Sequence, residues 1–99
     1  MIKTIDVNCK EWRDKVNGNN YFSGNVIIDY GLPTVQGFKI PFQCGYEMHY
    51  IDVAKDMLTA NNIINPNPMH ALWRYCKDNN VILRTTLQVN CKKKEVKND

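Results

Sequence analysis

The alternation of apolar and polar residues predicts strands in the first part of the chain. Residues 1–9 alternate weakly and predict a first strand. Its apolar side carries Ile5, Val7 and Cys9. Residues 11–16 are short and charged, and they predict either a second strand segment or a single helical turn. The Asn17-Gly18 pair that follows is a strong hairpin signal, because both residue types tolerate positive φ.

Residues 21–30 predict a clear strand, and residues 36–42 predict its partner. One side of the first of these strands carries Phe22, Val26, Ile28 and Tyr30, and the other carries Tyr21, Ser23, Asn25 and Asp29. Gly24 lies inside this strand and predicts a bulge or the close approach of another backbone. Pro41 has no N–H, so the second strand either ends there or lies at a sheet edge. Together the two strands predict a hairpin with an aromatic inner face.

The middle of the chain changes to a helical period. Residues 48–61 follow the i, i+3, i+4, i+7 spacing of a single apolar helix face. That face carries Tyr50, Ile51, Ala54, Met57 and Leu58. Asn67 as N-cap and Pro68 at the first helical position predict the start of a second helix. The apolar stripe of the second helix consists of Met69, Leu72, Trp73 and Cys76.

Residues 81–91 return to alternation and predict the last strand. The order of elements predicts an α+β fold: a small, mainly antiparallel sheet of four to five strands, with two helices packed on one face. Residues 1–91 are expected to form a single domain, because a chain of 99 residues is too short for two. The core of such a domain is thin, so a homo-oligomer is a further expectation.

The net charge of +3 does not by itself favour nucleic acid. Residues 92–99 contribute most of it and predict a basic, flexible C-terminal tail. The remaining residues are nearly neutral, and three arginines are few for a face that neutralises phosphates. No apolar run is long enough for a membrane span or a secretory signal peptide. We therefore expect a cytoplasmic protein that does not contact membranes.

The four cysteines give no sign of a metal site. They contain no C-x-x-C pair, and neither histidine has a second ligand at zinc spacing. In a reducing compartment we expect reduced thiols with structural roles. A nucleophilic pair of Cys44 with His49 and a carboxylate pair of Asp52 with Asp56 have no supporting motif. We expect no metal, no cofactor and no catalytic residue, although an active site assembled from distant residues stays open.

The first candidate binding set flanks the predicted hairpin turn and consists of Trp12, Arg13 and Tyr21. An exposed Trp, Arg and Tyr together are typical of the hot spots of protein–protein interfaces. Trp12 and the neighbouring Phe22 also have a structural explanation, because large rings at this position can close one end of the core. The set therefore predicts either a protein-binding face or the end of the core.

The second candidate set lies where a loop meets the first predicted helix, and it consists of Tyr46, His49 and Tyr50. A helix start offers unpaired N–H groups and the positive end of the helix dipole, which favour an anion, a nucleotide or a partner loop. In the structural alternative, Tyr50 packs in the core while Tyr46 and His49 cover the start of the helix. The sequence leaves both interpretations open.

Two segments of the chain resemble small uncharacterised accessory proteins of tailed phages and prophages. Residues 10–23 contain an aromatic and charged stretch that leads into Gly-Asn-x-Tyr-Phe-Ser and a strand. Residues 41–46, followed by Tyr50 and Ala54, are similar to a second motif of these proteins. The resemblance covers residues 10–60 and brings no catalytic residues with it. It implies a protein made in the bacterial cytosol, of a kind that often binds host enzymes, defence complexes such as CRISPR effectors, or nucleotide signals.

The residues and this resemblance lead to two main hypotheses. In the first, the chain is a non-enzymatic binding protein that inhibits or redirects a host or defence-system protein, for example as an anti-CRISPR. In the second, it binds a small ligand, a nucleotide or a nucleic acid through the region of Tyr46, His49 and Tyr50. We expect no enzymatic activity under either hypothesis.

Overall fold

Four strands and three helices make up the fold, and the computed structural model describes residues 2–97. The elements are β1 (Thr4–Asp14), β2 (Asn19–Ile28), β3 (Gln36–Cys44), α1 (His49–Ala60), α2 (Leu72–Asp78), β4 (Ile82–Gln88) and α3 (Lys93–Lys97). The strands form a mixed sheet of order β3-β2-β1-β4, in which β1 and β4 run parallel and the other neighbours antiparallel. The predicted α+β class with a mainly antiparallel sheet is confirmed.

A long hairpin of β1 and β2 forms the centre of the sheet. Pairing continues as far as Asp14 opposite Asn19, so the charged segment extends the first strand and is not a helical turn. At the tip, the Asp14 carboxylate accepts hydrogen bonds from the backbone N–H groups of Val16 and Asn17. Gly18 completes the turn with φ of 71°. The hairpin predicted here is confirmed.

The core lies between one face of this sheet and the two longer helices. The sheet contributes Ile5, Val7, Cys9, Phe22, Val26, Ile28 and Ile40, and the helices contribute Tyr50, Ala54, Leu58, Leu72 and Cys76. The apolar stripe predicted for α1 is confirmed, because three of its members are buried. Helices on one face, as predicted, leave most of the opposite sheet face without a helical cover.

Gly24 and Pro41 mark the place where β2 and β3 change register. A Cβ on Gly24 would lie 2.0 Å from the carbonyl oxygen of Asn8, so the close approach of β1 leaves no room for a side chain. The β2–β3 register shifts between Phe22 and Gly24, and the extra residue of this bulge lies on β3 beside the proline. β3 is an edge strand, as Pro41 predicted, although it continues to Cys44.

The second helix is shorter than predicted. The Asn67 side chain accepts a hydrogen bond from the Met69 N–H, which closes a local turn and does not cap a helix. Ala71 is extended (φ −70°, ψ 164°), so α2 begins at Leu72. Leu72 is buried as predicted, whereas Met69 is 88% exposed and Trp73 is 57% exposed. The interpretation of these last two side chains as core residues was wrong.

Positive φ angles end two strands earlier than the alternation predicts. Asp29 takes φ of 54°, so β2 ends at Ile28. Tyr30 follows this bend and is 66% exposed, which corrects its placement on the inner face. In the same way, Asn90 takes φ of 60° soon after β4 ends at Gln88.

The basic C-terminal segment corrects the prediction of a flexible tail from residue 92. Residues 93–97 form α3, which contacts β1 and β2. Val96 is wholly buried, and the Ser23 hydroxyl donates a hydrogen bond to its carbonyl oxygen. The Lys92 N–H donates to the Glu95 carboxylate at 2.9 Å at the start of the helix. Val96 thus finds apolar cover on the sheet face that α1 and α2 leave open. Residues 98 and 99 lie outside the described residues.

Candidate functional site

β4 is an edge strand, and its outer side pairs with no other strand within residues 2–97. The Ile82 N–H donates to the Lys3 carbonyl oxygen at 3.0 Å, so the backbone N–H and C=O groups of Ile82 point toward β1. Successive residues of a strand alternate in the edge toward which their N–H and C=O groups point. Leu83, Thr85 and Leu87 therefore direct these groups outward. The result is a row of hydrogen-bonding groups available to a further strand.

An apolar groove lies beside this edge, between β4 and the starts of α1 and α2. Its volume is about 460 Å³. The residues that line it are Met48, Ile51, Asp52, Ala71, Trp73, Leu83 and Thr85. We call this surface the β4 groove.

The sequence around each helix start explains why the β4 groove is apolar and yet open. α1 buries Tyr50 and Ala54, which leaves Ile51 on the flank of the helix. α2 buries Leu72, and Trp73 lies about 100° further around the helix axis. Ile51 and Trp73 thus lie beside the buried stripes of their helices, and both line the open groove next to the edge strand.

The groove is suited to apolar side chains of an extended chain. Met48 and Trp73 are 60% and 57% exposed, and contiguous exposed apolar side chains mark interaction surfaces. Asp52 is the charged residue among those that line the groove. An unpaired strand edge beside such a groove is the arrangement used in strand addition, in which main-chain hydrogen bonds give affinity and alternate side chains give specificity.

Trp12 and Tyr21, from the first predicted set, belong to a stack of rings on the opposite face of the sheet. Their ring centroids lie 5.4 Å apart, and Phe42 stacks on Tyr21 at 5.1 Å. The Lys93 ammonium lies 5.4 Å from the Trp12 ring centroid, a distance typical of a cation–π contact. We call these three half-buried rings the aromatic ladder. The ladder joins β1, β2 and β3 and contacts α3, which is a structural role.

Arg13, within β1, and Tyr46, in the loop before α1, both make hydrogen bonds to residues at the start of β2 or in the turn before it. The Arg13 guanidinium is exposed and donates to the Asn20 side-chain oxygen at 3.3 Å. The Tyr46 hydroxyl donates to the carbonyl oxygen of Gly18 and the side-chain oxygen of Asn19, each at 3.1 Å. Tyr46 thereby connects the loop before α1 to the turn between β1 and β2.

His49 and Tyr50 have different surroundings, although they are adjacent in sequence. The exposed imidazole of His49 and the Phe22 ring make a T-shaped contact, with centroids 5.9 Å apart. Tyr50 is 5% exposed and packs in the core, so the structural alternative applies to it and its ring is not available to a ligand. The six predicted residues therefore do not converge on one surface.

The residues of the β4 groove were missed because sequence reasoning assigned several of them to the core. One signal was present: in a helix as short as α2, Leu72 and Cys76 share a face, whereas Trp73 lies off it. A large apolar residue outside the buried stripe is a candidate for a contact surface. Met48 precedes the first residue of α1 and has no periodic signal of its own.

The uncovered face of the sheet carries a second, more polar groove of about 660 Å³. Its lining includes Asn8, Asn25, Ile27, Lys39, Thr86 and Gln88. The Asn8 side chain donates to that of Asn25 at 3.3 Å. Nearby, Arg84 makes two hydrogen bonds to the Asp6 carboxylate, at 2.6 and 2.9 Å. Asn8, Asn25, Thr86 and Gln88 bring amide and hydroxyl groups to this groove, which makes it more polar than the β4 groove.

The cysteines differ in their surroundings. Cys9, Cys76 and Cys91 are buried, whereas Cys44 is exposed at the end of β3. Burial raises the pKa of Cys76 to about 11, which keeps its thiol protonated and unreactive at neutral pH. Among residues 2–97, no three His, Cys, Asp or Glu side chains are grouped so that they could hold a metal ion.

No protein-family model, curated protein or solved structure matches this chain. Within residues 2–97, no helix has the length and apolar character needed to cross a membrane.

Proposed function

We propose that this chain is a non-enzymatic binding protein of a tailed phage or prophage. It acts in the bacterial cytoplasm, where it inhibits or redirects a host or defence-system protein by direct contact. A CRISPR effector is one example of such a target. The resemblance of residues 10–60 to phage accessory proteins supports the setting, and the β4 groove supports the mode of action.

The observation that carries this proposal is the unpaired edge of β4 beside exposed Trp73 and Met48. The occupant that fits is an extended segment of the target protein. Its backbone would pair with Leu83, Thr85 and Leu87, and every second side chain would enter the groove. An apolar side chain suits the floor at Leu83, and a basic one suits Asp52 at the rim. Trp is also one of the residue types enriched in binding hot spots.

Binding of a nucleotide or nucleic acid is the second candidate function. Its support lies in the polar groove on the uncovered face, where Lys39 stands among amide and hydroxyl side chains. The predicted region of Tyr46, His49 and Tyr50 supports it less, because Tyr50 is buried. The ratio of absorbance at 260 and 280 nm in purified protein, followed by a thermal-shift screen with nucleotides, tests this candidate directly. A ligand at 100 times its dissociation constant adds roughly 2.7 kcal/mol of stability.

Affinity capture with two matched variants tests the main proposal. Tagged wild-type protein, Trp73→Ala and Tyr30→Ala are incubated with bacterial host lysate, and the retained proteins are identified by mass spectrometry. Tyr30 is the control because it is an aromatic residue of similar exposure outside the groove. We expect a stoichiometric protein partner that wild type and Tyr30→Ala retain and Trp73→Ala loses. A partner retained equally by all three would contradict the site, and the absence of any partner across several hosts would contradict the function.

A further inference from the structure

The outer edge of β4 is complementary to itself. We infer that a second copy of this chain pairs with it, antiparallel, about a two-fold axis at Thr85. The two four-stranded sheets then join into one continuous sheet across the two β4 strands. This inference goes beyond the proposed function, because it concerns the state of the protein before any target is bound.

The hydrogen-bonding groups of β4 match in this register. The backbone N–H and C=O groups of Leu83, Thr85 and Leu87 point away from β1, because the Ile82 N–H donates to Lys3, the residue just before β1. With Thr85 opposite Thr85 of the second copy, Leu83 lies opposite Leu87 in each half. All of these positions are hydrogen-bonded pairs of an antiparallel ladder. The register therefore satisfies the outward N–H and C=O groups of both copies, whereas a shift by one residue would place outward groups opposite inward ones.

The side chains match as well. On the groove side, Leu87 of the second copy lies beside Leu83, within reach of exposed Trp73. The two Thr85 side chains meet at the axis, and threonine pairs are favourable across strands. On the opposite face Arg84 lies across from Thr86, and its charge is already held by Asp6. No like charges face each other across the axis.

The two-fold pairing also suggests how the site is regulated. A second copy and a target segment would use the same outward groups of Leu83, Thr85 and Leu87, so they exclude each other. Self-association then protects an edge that would otherwise invite unwanted strands. This competition rests on the proposed function, whereas the pairing itself does not.

Sedimentation velocity tests the pairing without knowledge of the target. The proteins compared are wild type, Thr85→Lys and Gln36→Lys. Both variants add one positive charge at an exposed edge-strand position, on β4 and on β3 respectively. We expect a wild-type dimer with a micromolar dissociation constant, as suits a small interface, and the same for Gln36→Lys. Thr85→Lys should be monomeric, because two lysines would meet at the axis. Wild-type protein that stays monomeric at millimolar concentration, or a dimer unaffected by Thr85→Lys, would overturn the inference.

Disulfide cross-linking tests the register of the pairing. It also keeps the inference testable if Thr85→Lys fails to fold. Thr85→Cys is made in a Cys44→Ser background, since Cys44 is the exposed native thiol. Hydrogen-bonded antiparallel pairs have Cα atoms about 5.5 Å apart, within the range of a disulfide. We expect Thr85→Cys to form a covalent dimer under mild oxidation. The control Thr86→Cys should not, because it lies opposite Arg84 and not opposite itself. Equal cross-linking of both variants, or of neither, contradicts this register.

The two proposals fail separately. A monomeric wild type that still captures a Trp73-dependent partner removes the dimer and keeps the function. A dimer with the expected cross-link but without any captured partner keeps this inference and removes the proposed function.

Discussion

The two edges of the sheet are built differently. β3 carries a bulge, a charged Lys39, and Pro41, which cannot donate a hydrogen bond. These are devices that prevent a further strand from pairing at an edge. β4 is a regular strand without proline, and the charge of Arg84 is held by Asp6. The comparison indicates that the chain protects one edge and leaves the other available for a partner.

The largest expected effect comes from truncating an apolar side chain at each edge. Ile40 on β3 is wholly buried, whereas Leu83 on β4 is partly exposed. We expect Ile40→Ala to lower the free energy of unfolding by about 2–5 kcal/mol. Leu83→Ala should cost clearly less, because part of its side chain already contacts water. Urea denaturation at low protein concentration measures both. An equal loss would mean that the Leu83 side chain is as fully buried as that of Ile40, and that β4 is not an open edge.

The loop that leads to β3 is fixed by a buried carboxylate, which makes its stability dependent on pH. Asp29 accepts hydrogen bonds from the Lys3 N–H at 2.6 Å and the Thr34 hydroxyl at 2.7 Å. These bonds, the backbone one first, lower the pKa of Asp29 below its ordinary value of 3.8. Because the unfolded chain then binds the proton more readily, the contribution is present above about pH 4 and is lost as the pH falls through the folded pKa.

Asp29→Asn tests this anchor, because it removes the charge and retains an acceptor. We expect a lower urea midpoint at pH 7 and a weaker loss of stability between pH 5 and pH 2. The matched control is Asp6→Asn at the β4 edge, where the partner Arg84 is half exposed. Its effect at neutral pH should be smaller, because solvent screens exposed pairs. An unchanged acid profile in Asp29→Asn would refute the anchor.

A proline can give β4 the protection that β3 already has. The Thr85 N–H points away from β1, so Thr85→Pro removes no hydrogen bond of the sheet. We expect the free energy of unfolding to change by no more than about 1 kcal/mol, because no hydrogen bond of the sheet is lost, and we expect a monomeric protein. Circular dichroism and light scattering measure the two effects. If the variant folds and still dimerises, the contact between copies does not run through this edge.

The smallest expected effect is on the stability of Trp73→Ala. Its ring is 57% exposed, and surface substitutions usually change the free energy of unfolding by about 0.5 kcal/mol or less. Chemical denaturation should therefore distinguish it poorly from wild type, while partner capture is lost. A loss of several kcal/mol would show that Trp73 stabilises the core, and the groove would then have no exposed anchor.

Much of the fold could be predicted because its cause is local in sequence. The Asn17-Gly18 turn, the central strands and the stripe of α1 all follow from residue preference and period. The start of α2 and the ends of β2 and β4 were predicted wrongly, because they depend on side-chain hydrogen bonds and backbone angles that the apolar period does not indicate. Asn67 closes a turn with its own side chain, and Asn90 takes a positive φ. The burial of Val96 depends on a sheet face assembled from distant strands.

The candidate site could not be predicted in the same way. The spacing of Trp73 from Leu72 and Cys76 indicates that Trp73 lies beside the buried face of α2, but no local pattern specifies that β4 lies next to it. The parallel pairing of β1 with β4 likewise joins residues far apart in the chain. Tyr50 shows the opposite case, since its position in the α1 stripe already indicated burial. Aromatic content located candidate residues, but only the tertiary arrangement separates core from surface.

Amide hydrogen exchange along β4 tests most directly whether this edge is a docking site. NMR reads the N–H groups of Leu83, Thr85 and Leu87 separately from the inward ones of Arg84 and Thr86. We predict that the outward set exchanges rapidly in dilute protein and slows as concentration rises or a captured partner is added, while the inward set stays protected throughout. Outward amides that exchange at one unchanging rate, whatever the concentration or partner, would contradict the account.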